Sequence, residues 1–471
     1  MGSGTVLNVG FDDTDSPIGM CTTFLAYKIA GSLCGVSADA PGLRGSRRAA
    51  AKFLDYPRLV RLNPNVPWKT RGNGAVSMRI RTAGDPQPVK DAIVEAVFRY
   101  ADIKNGANPG LVFLEGDAIP DAIRSFGRLA LWQLVGRGDA RRLAQESGLD
   151  FHYMGNGQGL VGAIGAVGYE WDDHTLELLS YRGAAARGTP RVVSAASVRG
   201  MQDRTAPRTF NSFDEARGRV LITPRGPDPV FYGIRGESAA PLVDASRMIR
   251  SDERPCGYMI FRTNQGTGAH LRNELTPDAM RPYASGWVRG TVAARPVMQR
   301  GGHVFFEVEA YGATDTTATA GTTVRCAVYK PTGIAGIARG LMPGDVLRVA
   351  GGIRKASRSN PRVLNVEYIG VEELARDVYA ANPPCRVCKK SMKSKGVGQG
   401  YECARCDGQR AGSKIERERP RAIRRGLYIP DVSAQRHLAR PVQRLGMCNS
   451  DMAFDGTASS WLRVYYKDSG E

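Results

Sequence analysis

Four cysteines in two tight pairs constrain this chain more than any other feature. Cys385-x-x-Cys388 is followed, fourteen residues on, by Cys403-x-x-Cys406. Each pair turns two thiolates toward one point, and two such knuckles build a closed tetrahedral zinc site. With every coordination position taken by protein, the expected Zn2+ is structural and the surrounding segment folds as a ribbon. The alternative is a pair of redox dithiols, which is disfavoured because such motifs come singly at a helix N-terminus. The other five cysteines (Cys21, Cys34, Cys256, Cys326 and Cys448) are scattered, arguing against a disulfide framework and for a reducing compartment.

Charge says what the ribbon is for. The 471 residues carry a net charge of +19, and between Arg386 and Arg444 there are 16 Lys/Arg against 5 Asp/Glu. More than half of the surplus therefore lies in that one segment, as a phosphate-binding surface requires, although a solvated or disordered basic tail has the same composition. Lys389, Lys390, Lys393, Lys395 and Arg405 decorate the ribbon and Arg424, Arg425 and Arg436 follow it; all are candidate RNA contacts. No apolar stretch is long enough for a bilayer span, and the start Met1-Gly2-Ser3-Gly4-Thr5-Val6 lacks the features of a secretory signal. A cytoplasmic protein with no membrane partner is expected.

The length implies three or four domains. The run Val6 to Phe11 reads as a short buried strand. An acidic turn, Asp12-Asp13-Thr14-Asp15-Ser16-Pro17, follows, and then a helix with Cys21, Leu25, Ile29 and Leu33 on one face. This α/β layout gathers polar groups at the strand's C-terminal end. Ala75 to Ile80 and Gly110 to Glu115 read as strands and Pro88 to Tyr100 as a helix. From about Gly148 to Thr276 the pattern becomes α+β, with strands at Thr175 to Arg182, Val220 to Thr223 and Tyr258 to Arg262. Five short strands between Gly286 and Glu373, at 287–292, 304–308, 324–329, 346–350 and 365–369, fit a small barrel of the OB type, with a β-sandwich as the alternative.

Three carboxylates within four residues repel one another unless a cation compensates them. Asp12, Asp13 and Asp15 are therefore candidate Mg2+ ligands, acting with substrate phosphates. Thr22 and Thr23 open the next helix, where free backbone N–H groups favour phosphate, and a hydroxyl there can contact a metal or accept a phosphoryl group. The plainer reading is an Asp-rich turn capping a helix. No GxxxxGK[ST] motif and no protein-kinase signature occurs, so any ATP chemistry uses another scaffold. Gly157-Gln158-Gly159-Leu160-Val161-Gly162 matches GxGxxG, but no convincing strand precedes it; with the small residues through Gly168 it reads as a tightly packed helix. The five histidines are dispersed and form no ligand set.

The segment Gly10 to Thr23, with its acidic turn, resembles the start of the archaeal agmatidine synthetases, the TiaS family. So do Arg61-Leu62-Asn63-Pro64-Asn65-Val66-Pro67-Trp68-Lys69-Thr70-Arg71-Gly72-Asn73-Gly74, the stretch 157–168, Asp228 to Gly236, and Arg262 to Gly268. These blocks keep their order along essentially the whole chain; Phe11 departs from an expected aliphatic residue. The resemblance implies an atypical kinase-like α/β domain over 1–147, a ferredoxin-like α+β domain over 148–278, an OB barrel over 284–374, and the zinc ribbon with its basic region over 380–471. It implies an ATP-dependent enzyme, with AMP as a product, that phosphorylates the carbonyl oxygen of the wobble cytidine in the CAU-anticodon isoleucine tRNA. It then joins agmatine at that carbon, and it phosphorylates one of its own threonines. By alignment that threonine is Thr22, the metal ligands are among Asp12, Asp13 and Asp15, and Gly19, Thr22 and Thr23 meet the ATP phosphates. Two alternatives stand beside it: a single-strand-binding protein without catalysis, and a metal-dependent nuclease using the same carboxylates.

Overall fold

The computed structural model describes residues 4–36, 51–276, 279–311, 322–358, 360–406, 408–410, 412–451 and 453–466; Met1 to Ser3 of the N-terminal stretch lie outside them. The first part runs β1 (Val6–Asp12), α1 (Thr22–Leu33), β2 (Ala51–Phe53), β3 (Arg58–Arg61), β4 (Gly74–Thr82), α2 (Gln87–Tyr100), β5 (Gly110–Glu115), α3 (Asp121–Trp132), α4 (Arg137–Glu146), β6 (Asp150–Tyr153) and α5 (Gly159–Val167). The second runs β7 (Thr175–Tyr181), α6 (Ala195–Thr205), β8 (Thr209–Phe210), β9 (Phe213–Asp214), β10 (Arg219–Val220), β11 (Val230–Gly236), α7 (Ala239–Met248) and β12 (Gly257–Thr263).

Ten strands from the two parts and one from near the C-terminus join in a single sheet among the described residues, with the main order β6-β5-β1-β4-β3-β12-β7-β11-β8. The two halves meet at β3 and β12, a parallel pair, whereas the other pairings along that path are antiparallel. The sequence pattern suggests an ordinary α/β sheet; what forms is a largely antiparallel sheet with helices on both faces. Central β1 is buried on both sides, which is why its sequence is almost wholly apolar rather than alternating. Leu7, Val9 and Phe11 pack with Phe24, Leu25, Ile93 and Val97 from α1 and α2.

The opposite face is covered by α5, and small residues let it come close. A Cβ on Gly10 would sit 2.3 Å from the carbonyl oxygen of Ala163, and one on Gly162 would fall 1.8 Å from Asp12 Oδ2. The GxGxxG stretch is thus a packing surface, as its composition indicates, although a short strand, β6, does precede it. The expected strand at Val220 to Thr223 shrinks to Arg219–Val220 paired with Phe213–Asp214, because Pro224 and Pro227 end any extended pairing there.

Downstream lie β13 (Ser285–Val292), β14 (Val297–Met298), β15 (Val304–Ala310), β16 (Thr323–Val328), α8 (Ala335–Arg339), β17 (Val346–Arg354) and β18 (Val363–Glu373). The order β13-β17-β18-β16-β15 closes through a β13–β15 pairing. This is a five-stranded closed barrel with one parallel pair, β16 and β18, and its closure excludes a sandwich. A stem of β19 (Asp377–Ala381) and β23 (Ile415–Arg419) then carries the ribbon strands β20 (Lys393–Ser394), β21 (Tyr401–Glu402) and β22 (Gln409–Arg410).

After β24 (Gly426–Tyr428), which adds to barrel strand β18, the chain returns to the first sheet. Past α9 (Ala458–Trp461), β25 (Leu462–Val464) pairs with Gly257–Met259 of β12. Trp461 is fully buried beside Phe53, 4.9 Å between ring centroids. Several arginines of the basic tail are accordingly committed to internal carboxylates. Arg421 pairs with Asp345 at 2.7 Å, Arg440 with Asp173 at 2.7 Å, and buried Arg444 with Asp173 and Glu237, each at 2.8 Å. Part of the charge surplus therefore holds the fold together. Among the described residues no helix is long and apolar enough to cross a membrane.

Candidate active site

A cavity of about 930 Å³ opens where the two halves of the large sheet meet. On one side it is lined by Asp12, Asp13 and Asp15, with Thr22 and Thr23 below them. Arg61, Glu177, Arg235 and His437 stand in its wall, and the loop 64–74 forms part of its rim.

The acidic side is under electrostatic tension. Asp12 ends β1, and among the described residues no side chain donates a hydrogen bond to it. Burial, then the neighbouring Asp13 and Asp15 charges, push its carboxyl well above the usual range. Asp13 has a left-handed backbone, φ 55°, uncommon for a residue with a side chain. Burial, with Asp15 adding, raises its pKa to about 6. Asp15 is different: it accepts from Thr70 Oγ1 at 2.8 Å and from the Arg71 guanidinium at 2.5 Å. Arg71 also donates to the carbonyls of Ser16, Gly19 and Met20 and stands 3.6 Å from Asp228, so one guanidinium fixes the shape of the whole turn.

The three carboxylates consequently do not converge; among the described residues, the ribbon cysteines are the only group of three or more such ligands within 4.8 Å of one another. Asp12 and Asp13, half-buried and short of cationic partners, suit a divalent cation that takes its remaining ligands from substrate and water. Gly19 closes a tight turn with Ser16 and is not among the cavity's lining residues. Thr22 and Thr23 lie in the first turn of α1; the N-cap residue Cys21 contacts the Thr23 hydroxyl with its thiol at 3.1 Å but does not cap the backbone N–H groups, so the helix end is open to a ligand. Both threonines are nearly buried; the Thr14 hydroxyl donates to Thr22 Oγ1 at 3.0 Å.

The facing wall is cationic. Arg235 from β11 pairs with buried Glu177 of β7 at 3.1 Å, and Gln265 donates to the other oxygen of Glu177. The Arg235 guanidinium also donates to His437 Nδ1 at 2.8 Å. His437 is open to the cavity by surface area, yet it is set deep among surrounding protein atoms, and this desolvation, with Arg61 and Arg235 close by, lowers its pKa well below its ordinary value, so the imidazole is neutral at pH 7. Arg61 makes no ion pair among the described residues, and its Nε is buried without a partner. A guanidinium left this way in a cavity suits an anionic ligand.

Sequence reasoning missed this wall. Arg61, Arg71, Asp228 and Arg235 fall inside the blocks that carry the family resemblance, which was the available signal. Glu177 and His437 stand in no motif at all, and His437 comes from the tail beyond the ribbon.

In the ribbon, Cys388 Sγ lies 3.4 Å from Cys403 Sγ, and Cys403 Sγ 3.8 Å from Cys406 Sγ, the spacing that four thiolates adopt around one Zn2+. Lys389, Lys390, Lys393, Lys395 and Arg405 are exposed around it, as are Arg424 and Arg425 beyond the stem. Arg436 is not on that surface: half-buried, it lines the cavity and pairs with Glu367 of the barrel at 3.2 Å.

Three family models match in chain order: the TiaS TCKD domain over residues 8–125, the TiaS FLD domain over 157–270, and the TiaS C-terminal zinc ribbon domain over 382–423. A relative from Cenarchaeum symbiosum, the isoleucine-tRNA 2-agmatinylcytidine synthetase TiaS, is 51% identical and covers 100% of this chain and 98% of its own. The crystal structure of apo TiaS superposes with a TM-score of 0.78 at 32% identity, covering 96% of this chain and 99% of that one. The crystal structure of TiaS in complex with its isoleucine tRNA, AMPCPP and agmatine superposes with a TM-score of 0.76 at 31% identity, with the same coverage. With half of its residues shared with a relative along its full length, and with the same fold, the chain belongs to the TiaS family.

Proposed function

We infer that this chain is an ATP-dependent ligase that joins agmatine to the wobble cytidine of the CAU-anticodon isoleucine tRNA, giving agmatidine. The observation that carries the reading is full-length likeness to an isoleucine-tRNA 2-agmatinylcytidine synthetase. The cavity adds a chemical reason, since carboxylates suited to a cation face the unpaired Arg61 guanidinium across room for a triphosphate and a base.

The chemistry needs two stages. A ring carbonyl oxygen is a poor leaving group; once phosphorylated it departs as phosphate when the primary amine of agmatine attacks the ring carbon. Mg2+ held by Asp12 and Asp13 would supply charge neutralisation for the phosphoryl group in flight. The open end of α1 and Arg61 bind phosphate oxygens from either side. Arg71 keeps Asp15 and the turn in place and so acts by positioning. An anticodon-loop base is unpaired and cheap to splay into such a cavity.

In this reading residues 1–147 are the kinase-like unit, with α5 from the next unit closing its back. Residues 148–278 supply Glu177 and Arg235 of the cationic wall, and the OB barrel, 284–374, with the zinc-bearing region, 380–471, grips the tRNA in the cytoplasm. ATP turnover stimulated by the isoleucine tRNA, together with a mass increase of one cytidine by agmatine less one water, tests it. Absence of both with Mg2+ and agmatine present would overturn it.

Thr22 is the self-phosphorylated threonine in this reading. Thr22→Ala is expected to remove the phosphate from the enzyme, as read by peptide mass spectrometry after incubation with ATP; phosphate found on another residue refutes the assignment. Replacing Cys385 and Cys388 by serine is expected to take bound zinc from one per chain to none and to weaken tRNA binding by about 10-fold, the loss of several backbone contacts. Zinc content unchanged by the replacement contradicts the ligand set.

A further inference from the structure

Of the five tryptophans, four are used for packing. Trp461 is buried, Trp171 lies against the guanidinium groups of Arg58 and Arg262, Trp287 is under Arg348 at 4.6 Å, and Trp132 packs against the barrel core. Trp68 is the exception. It is 63% exposed, yet it lies at the rim of the catalytic cavity on a segment that is held firmly at both ends.

At one end, buried Asn63 accepts from the backbone N–H of Asn65 and donates to the carbonyl of Tyr283, both at 3.0 Å. Asn65 donates to Ser285 Oγ on barrel strand β13 at 2.7 Å. At the other end Thr70 and Arg71 bind Asp15. Between them Lys69 Nζ donates to the Val66 carbonyl at 3.1 Å, and Pro64 and Pro67 stiffen the run. Segment 63–73 is therefore a strut from the barrel to the acidic turn, and it carries an unburied indole at the cavity mouth. Lys69 and Arg225 are exposed at the same mouth. An indole on a rigid support among cations is the composition of a single-strand stacking platform.

We propose that Trp68 stacks on an unpaired base of the RNA that flanks the base entering the cavity. The proposal rests on the RNA-modifying reading above and deepens it. The platform grips the strand next to the target, so that extruding the target base costs less. Because the strut ends on Asp15, a base seated on Trp68 is placed at a fixed distance from the acidic turn. Adenine of ATP presents the same kind of face, and the test separates the two.

Full-length zinc-loaded protein, Trp68→Ala and Trp68→Phe are compared for affinity toward the isoleucine tRNA transcript and toward a non-hydrolysable ATP analogue. Trp68→Ala is expected to weaken tRNA binding about 10-fold or more and to raise KM for tRNA in proportion. Analogue affinity and melting temperature stay at the parent's values, and Trp68→Phe recovers most of the binding. The parent's indole emission is quenched by tRNA, and this component is missing in Trp68→Phe. tRNA affinity of Trp68→Ala within about 2-fold of the parent overturns the proposal, as does loss of analogue binding with tRNA binding intact. Failure of the parent to turn over ATP with tRNA would instead count against the function itself, because stacking is read from binding alone.

Discussion

Asp12→Asn is expected to lower tRNA-dependent phosphoryl transfer by roughly 10³-fold or more, because positioning and charge neutralisation make up most of the catalysis in such transfers. Affinity for tRNA should stay within about 2-fold, since the barrel and ribbon are untouched. The same substitution should raise the melting temperature of the free protein at pH 7. Asp12 is a carboxyl whose folded pKa is raised, chiefly by burial and then by Asp13 and Asp15. Such a group contributes stability below its unfolded pKa and loses it as pH rises through the folded value, so at neutral pH the acidic side chain costs the fold stability, whether it stays charged or takes up a proton. A neutral isostere relieves that cost. A variant that is both inactive and more thermostable distinguishes a working carboxylate from a helix-capping one, whose loss would destabilise. Retained activity, or a lower melting temperature, would remove Asp12 from the proposed role.

The second large effect lies far from any motif. Arg444 is fully buried. It donates to both oxygens of Asp173, at 2.8 and 3.3 Å, to Glu237 at 2.8 Å, and to the carbonyls of Gly266 and His174 at 2.9 and 3.1 Å. Burial pushes Asp173 up, but the hydrogen bonds it accepts from Arg444 and the Asn449 N–H, with the Arg444 and Arg440 charges, together outweigh that and hold its carboxyl below the usual range. Truncating one partner of a buried pair leaves the other charged and unpaired, at about 3–5 kcal/mol. Arg444→Ala should therefore unfold at markedly lower denaturant and become protease-sensitive between residues 430 and 466. It should also lose activity, because the loosened segment carries Arg436 and His437 into the cavity wall. An unchanged unfolding midpoint and cleavage pattern would show that the clasp is dispensable.

What could be read from the sequence follows from how local each signal is. β1, its acidic turn and α1 were legible because an apolar run, a charge cluster and a four-residue spacing sit next to one another. The barrel strands were legible for the same reason, and the zinc site because its ligands come in two fixed pairs. The joining of two α/β halves through β3 and β12 was not, since that parallel pairing connects segments about two hundred residues apart and leaves no periodicity. The cationic wall was hidden likewise. Arg61, Glu177, Arg235 and His437 are lone polar residues from four separate segments, and only the folded sheet brings them together. The basic tail misled in part because composition does not distinguish an arginine awaiting phosphate from one such as Arg421 or Arg444, which is already committed to an internal carboxylate.

The last strand has a consequence for how the protein is made. β12 takes β3 along its final two residues and β25 along its first three, so the sheet that frames the cavity stays unfinished until residues 462–464 have left the ribosome. At about 5–20 residues per second, that is an interval of roughly 10–40 seconds after β12 emerges. Throughout it the nascent enzyme presents an open strand edge, and catalytic competence is withheld until the ribbon and barrel have already been synthesised.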